Sequence, residues 1–341
     1  MNIAQRRVLL LLAPTLPACF LLAVIVGAVT LPPAELAALL TGTGDPSGGA
    51  SAQLIITQIR LPRALLAAIV GALLGVSGAA MQGLFRNPLA DPSLLGVTAG
   101  AAAGAAVVIV LGGLAAAGLW ALSLVSLGAF AGGMLAVGLV YRLATGATGT
   151  SVATMLLAGI AVTAVAGSLT SLLEFSADNA MLRRISLWRM GGLDGASYQR
   201  VTLAAAVGLI VLALLPRYSR ALNALLLGES EARHLGIDVE TVKNRLIVLV
   251  AAGVGVSVAL AGTIAFVGLV VPHIMRLLAG PDHRYLLPAS ALAGAVLLLL
   301  ADTLARVIIA PTELPVGLVT ALLGAPFFIS LLLRRHEYAM Q

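Results

Sequence analysis

Apolar runs of about twenty residues recur along the whole chain, separated by short stretches of Gly, Pro and charged residues. A bilayer-crossing helix needs about 20 predominantly apolar residues. The run over 8–29, behind Arg6 and Arg7, predicts a first span. It is long for a signal peptide, and Pro32 and Pro33 follow it where a small-residue cleavage site would stand. Residues 30–59, rich in Gly, Pro, Thr and Ser with Asp45-Pro46 and Gly48-Gly49, predict a loop. Further spans are predicted over 64–84, 94–114, 117–141, 152–173, 200–215, 286–304 and 316–333. The stretch 247–278 would make a helix of about 48 Å, too long for one crossing. Basic residues flank both its ends, so it reads as two short spans broken at Gly262, Gly268 or Pro272. The pattern therefore predicts an all-α polytopic membrane protein with ten transmembrane helices.

Composition agrees. Of 341 residues, 60% are hydrophobic and 10% charged, and mean hydropathy is +1.07. A soluble domain carries about 25% charged residues, so a soluble enzyme, a disordered chain and a disulfide scaffold are excluded. Cys19 stands alone in an apolar run and reads as a small buried hydrophobe.

Charge sets the orientation. The net charge is +6, and Lys243 is the only lysine. With ten spans and the N-terminus inside, thirteen basic residues fall on inner segments and seven on outer ones, which supports N-in and C-in. The dispersed arginines form no basic stripe of the kind nucleic-acid binding needs. The seven outer residues, Arg60, Arg63, Arg183, Arg184, Arg189, Arg200 and Arg306, run against the positive-inside rule and call for a reason.

Small residues at helical spacing (Gly71 and Gly75, Gly100 and Gly104, Gly128 and Gly132) predict close helix crossings, because lipid supplies no hydrophobic drive between helices. Asp302 and Arg306, four apart, can pair on one helix face. The alternative use of Arg306 is presentation to an outside partner. His273, behind Pro272, reads as a hydrogen-bonding core residue, and Glu174 as a solvated group at the outer end of the fifth span. A P-loop needs Lys followed by Ser or Thr. Asn244 follows Lys243, so any ATPase must be another chain. Ion-driven carriers hold their sites near the midplane; acidic residues are nearly absent there, which counts against that remote alternative. No nucleophile, acid/base or metal-ligand cluster is present to support an enzyme.

Two segments remain. The inner loop 216–245 mixes apolar and charged residues around Gly228 and Gly236, the pattern of short helices that lie on the bilayer or form a docking knob. The outer segment 174–200 holds Met181, Arg183, Arg184, Trp188 and Arg189. Planar guanidinium pairs suit carboxylates, so this segment reads either as an interfacial helix or as the place where an anionic substrate is met.

The sequences Arg60-Leu61-Pro62-Arg63, Gly78-Ala79-Ala80-Met81-Gln82, Arg86-Asn87-Pro88-Leu89-Ala90-Asp91-Pro92 and Phe266-Val267-Gly268-Leu269-Val270-Val271-Pro272-His273, with Asp302, Arg306 and Glu313-Leu314-Pro315-Val316-Gly317, resemble the permease family of type II ABC importers for haem, iron–siderophores and cobalamin. The resemblance runs from about 55 to 333 and treats 1–341 as one transmembrane permease domain. It implies a homodimer with the path on its two-fold axis, two ATP-binding subunits carrying ATP and Mg, a periplasmic binding protein, and the bacterial inner membrane. It implies binding-protein docking on Arg60, Arg63 and Arg306, and ATPase coupling through Gly228, Glu229, Ala232, Leu235 and Gly236. The family's inner gate falls near Val152 and Ala153, between Ser151 and Thr154, where the vitamin B12 member carries small polar residues. The stretch Leu182 to Gly191 looks most like the haem members, which makes haem the expected cargo and Met181, Arg183, Arg184 and Trp188 the expected path residues. A ferric siderophore or cobalamin is the alternative. No permanently bound cofactor and no metal site is expected.

Overall fold

The computed structural model describes residues 3–32, 49–112, 121–147 and 149–339, and is almost wholly helical. In order, the helices are α1 (Ile3–Ile25), α2 (Gly49–Leu54), α3 (Leu61–Leu84), α4 (Val97–Leu111), α5 (Ala121–Ala144), α6 (Val152–Ser176), α7 (Asn179–Met190), α8 (Tyr198–Leu214), α9 (Ser219–Leu225), α10 (Glu229–His234), α11 (Val239–Ala261), α12 (Val267–Ala279), α13 (His283–Val307) and α14 (Val316–Ala339). Seven apolar helical runs among the described residues are long enough to cross a membrane, and α4, α12 and the first part of α14 add three shorter ones. These ten coincide with the ten predicted spans.

Short polar residues start these helices where the sequence places them. Ser151, Asp178, Ser197, Asp238 and Asp282 each accept a hydrogen bond from a first-turn N–H, which satisfies a donor that the helix itself cannot. Gly191, Gly262 and Gly280 end α7, α11 and α12 with positive φ.

Two boundaries differ from the expectation. The predicted loop 30–59 is helical over its last part. The chain runs from α2 through a π-helical turn, Ile55–Arg60, into α3; residues 33–48 lie outside the described set. No Gly or Pro interrupts 50–61, and the π-turn stands just before Pro62, which lacks the N–H a regular helix would use there. The break in 247–278 is confined to Gly262–Phe266, with Gly262 and Phe266 both at positive φ. Gly268 and Pro272 lie inside α12. Non-helical backbone at membrane depth must be buried or line a cavity; here it borders a cavity of about 360 Å³ with Asp91, Ser93 and Thr98.

The predicted glycine pairs stand at close crossings. A Cβ on Gly71 would stand 2.3 Å from the Gly294 carbonyl, and one on Gly75 would stand 2.1 Å from that of Ser290, so α3 lies directly on α13. Gly100 and Gly104 of α4 meet Gly132 and Gly128 of α5 at 2.4 and 2.1 Å in the same sense.

Ten crossings require that segments assigned to one side meet, and they do. At the outer end, Arg306 of α13 bonds Ala23 of α1, Arg63 of α3 reaches Glu313, and Gly317 bonds the Gly191 carbonyl. At the inner end, the His283 ring abuts Gly83, Asn223 Oδ1 accepts from the His283 backbone N–H at 2.9 Å, and Lys243 reaches Thr150. The Arg284 guanidinium beside Asp282 holds that carboxyl well below the usual carboxylate range, keeping this inner corner charged.

Candidate docking, path and coupling sites

At the outer end, Arg63 of α3 grips Asp302 of α13 side-on. Its Nε lies 2.9 and 3.1 Å from the two carboxylate oxygens, while its Nη1 reaches Glu313 at 2.5 Å. Arg306 shares Asp302 at 3.1 Å, as the spacing predicted, and donates to the Ala23 carbonyl at 2.9 Å. Arg60 donates to the carbonyls of Val24 and Ile25 at the end of α1 and of Val29 just beyond it. Relative exposure is 3% for Arg60, 6% for Arg63, 3% for Arg306 and 1% for Asp302. In this conformation the three arginines expected to meet the docking partner are buried and paired within the fold. Their guanidinium groups are spent on the buried Asp302, on the more exposed Glu313 and on backbone carbonyls. The cluster explains why arginine is tolerated at the outer end: each positive charge is buried against an acceptor within the fold.

The outer helix α7 does not present its four expected path residues on one face. Arg184 and Trp188, four apart, line a cavity of about 360 Å³ with Arg63, Asp194, Arg200 and Glu313. Met181 packs against the apolar core. Arg183 lies on the exposed face with Ser186. Arg189 bridges Glu174 at 3.0 Å, so Glu174 is paired where the sequence reading left it solvated. His273 is buried, with its ring 6.1 Å from that of Phe327 in a T-shaped contact.

Helix α6 runs from the inner end to Glu174 and shows two exposed faces. One is large and apolar, with Leu157, Val165 and Leu172. The other carries Thr163, Gly167 and Ser171 toward its outer half, with the exposed Ile160 on the same face toward the inner end. Nothing lies within 4 Å of a Cβ built on Gly167. Lipid favours large apolar side chains, so an exposed stripe of hydroxyl and small residues suits a polar path. At the inner end of α6, Val152 is half-buried, and Ala153 and Thr154 are exposed.

At the inner end, α9 and α10 project between α8 and α11. Leu226, Leu227 and Leu235 are exposed there, as is Gly236. Gly228 turns into α10 with φ of 119°, and Glu229 is half-buried in an ion pair with Lys243. Ala232 is fully buried and packs α10 against the body of the protein.

Comparison with known proteins decides the family. The profile of the FecCD transport family matches residues 15–334. The chain belongs to the FecCD transport family. This FecCD permease is 47% identical over 280 residues to the hemin transport system permease protein HmuU of Yersinia pestis, across 82% of this chain and 83% of that one. It is 46% identical over 290 residues to the cobalamin import system permease protein BtuC of Halobacterium salinarum, across 85% and 76%. A solved structure described as the inward-facing conformation of a metal-chelate type ABC transporter superposes with a TM-score of 0.84 at 31% identity, covering 96% of this chain and 99% of that one. The FecCD permease is thus the multi-pass permease subunit of a type II ABC importer in the bacterial inner membrane, and in this family the ATPase is a separate subunit.

Sequence reasoning missed two groups in this FecCD permease. Glu313 was seen only as part of a motif, yet it completes the Arg63 site. Lys243 served as a topology marker and to exclude a P-loop, yet it is buried and paired with both Glu229 and Glu240. Its being the sole lysine among twenty basic residues was the available signal.

Proposed function

We propose that this permease imports haem as a homodimer, powered by two ATP-binding subunits that hold ATP and Mg, and fed by a periplasmic binding protein. The relatives do not choose among cargoes, because haem and cobalamin permeases match almost equally. The observation that carries the haem reading is Arg183, a cation on the exposed face of α7 above the polar stripe of α6. Haem offers two propionates, and a two-fold partner supplies a second Arg183. Planar guanidinium suits such carboxylates, whereas a cobalamin rim of neutral amides has no use for it. The reading narrows the path set. Arg183 meets the cargo, while Arg184, Trp188 and Met181 shape the wall beside it. Arg60, Arg63 and Arg306 serve docking from beneath, by holding the outer loop with Glu313 in place for the binding protein.

The test is uptake into proteoliposomes holding the permease, its ATPase and a binding protein loaded with haem, a ferric siderophore or cobalamin. ATP-dependent accumulation of haem is expected, and Arg183→Ala should lower it about tenfold, the scale of a lost charge-assisted hydrogen bond. Accumulation of another chelate with haem inert would overturn the cargo and leave the importer intact.

The exposed leucines carry the ATPase contact in this reading. Leu227→Asp with Leu235→Asp should weaken co-purification of the ATPase at least about tenfold, since each buried Leu contributes about 1.5–3 kcal/mol. Undiminished co-purification would place the contact elsewhere.

A further inference from the structure

Lys243 sits one turn into α11 and is 2% exposed. Its ammonium donates to three acceptors from three segments: Glu229 Oε2 of α10 at 2.8 Å, Glu240 Oε1 of its own helix at 3.2 Å, and the Thr150 carbonyl at 2.7 Å. Thr150 closes a two-stranded hairpin, Thr145–Gly146 with Gly149–Thr150, and stands one residue before Ser151, the N-cap of α6. Glu240 grips the same peptide from the other side, since its Oε2 accepts the Thr150 N–H at 2.8 Å. Gly149 lets it do so: φ there is 107°, and a Cβ would lie 2.8 Å from the Glu240 carboxyl carbon. Arg233 completes the group, 3.5 Å from Glu229 and 3.7 Å from Glu240. Two cations face two anions, so the buried ammonium sits in a group with no net charge.

We propose that Lys243 is a positioning residue for transport, a three-way latch that makes α10 and the first turn of α6 move as one body. Thr150 is held at both its N–H and its C=O, so a shift of Glu229 is carried through the ammonium to the peptide that starts α6. Without the latch, α10 and α6 share no ion pair or hydrogen bond among the described residues other than through this group. The inference rests on the reading of α10 and its neighbouring leucines as the ATPase contact.

The experiment measures chelate accumulated per ATP hydrolysed in proteoliposomes of the full complex, using whichever of haem, a ferric siderophore or cobalamin the unaltered complex accumulates. Lys243→Met should keep the ATPase bound and hydrolysing, while accumulation per ATP falls about tenfold, a typical coupling between sites. Lys243→Arg, which still donates to the same acceptors, should restore most of it. An unaltered ratio in Lys243→Met overturns the latch, as does failure of Lys243→Arg to rescue. Should Lys243→Met not assemble, Glu240→Ala decides, since it removes the acceptor of the Thr150 N–H; an unaltered ratio there also overturns it. Co-purification of the ATPase with the Leu227→Asp and Leu235→Asp variant separates the two readings. If that variant still binds ATPase, the docking reading has failed; if it does not and Lys243→Met transports normally, only the latch has failed.

Discussion

Asp302→Ala is expected to destabilise the folded permease by about 3–5 kcal/mol, the cost of leaving buried charge unpaired. Asp302 answers two cations at once. Removing it leaves Arg306 with only the Ala23 and Asp302 backbone carbonyls and the Thr303 hydroxyl as acceptors, and leaves Arg63 with Glu313 alone. None of the three side chains reaches solvent, so water does not repair the loss. The damage should spread, because the cluster joins the ends of α1, α3 and α13 to the segment before α14. Cys19 gives the readout. It is the only cysteine and is half-buried, so a thiol-reactive dye reports unfolding in detergent as temperature rises. The paired variant Asp302→Leu with Arg306→Met should recover much of the loss, since an apolar replacement of both partners leaves no stranded charge. A change below about 1 kcal/mol in Asp302→Ala would show that the cluster is solvated in the membrane.

Gly71→Val is the second large effect, with an expected cost of about 1–3 kcal/mol or outright failure to assemble. The carbonyl of Gly294 and the Cβ of Leu298 lie 2.3 and 2.9 Å from where the new Cβ would stand. Both belong to α13, and one of them is backbone, so no rotamer change relieves the clash. The helices must part, and the contacts along the α3–α13 seam open with them. In lipid no hydrophobic force pulls them back. Gly138→Val on α5 is the control, because nothing lies within 4 Å of its Cβ; it should leave the unfolding temperature nearly unchanged. Equal losses in both variants would assign the effect to helix propensity rather than to the crossing.

How far the sequence reads depends on the range of the interaction. Apolar run length and Gly-to-Gly spacing are local, and each appears in the structure where it was expected. The Asp302–Arg306 pair was legible because four residues on a helix make one turn. Arg63 was not legible as its third member, since it lies 239 residues away and meets Asp302 only when α3 packs on α13. The same limit applied at α7. Periodicity places Arg184 and Trp188 on one face and Arg183 on another, but only the packing of α7 against the neighbouring elements shows which face is covered. Ala232 faces inward by packing of the same kind.

By itself, the sequence determined that this chain crosses a bilayer ten times, which ends share a side, and which helices can approach closely. Those properties follow from transfer of apolar runs into lipid and from the absence of side chains at glycine, and neither needs a distant partner. The tertiary structure alone decided which arginines are spent inside the fold, which face of α6 is polar and open, and that one lysine joins α10 to the start of α6. These are pairings of charges and carbonyls from separate helices, and a buried charge finds its partner only when the helices that carry them are brought together.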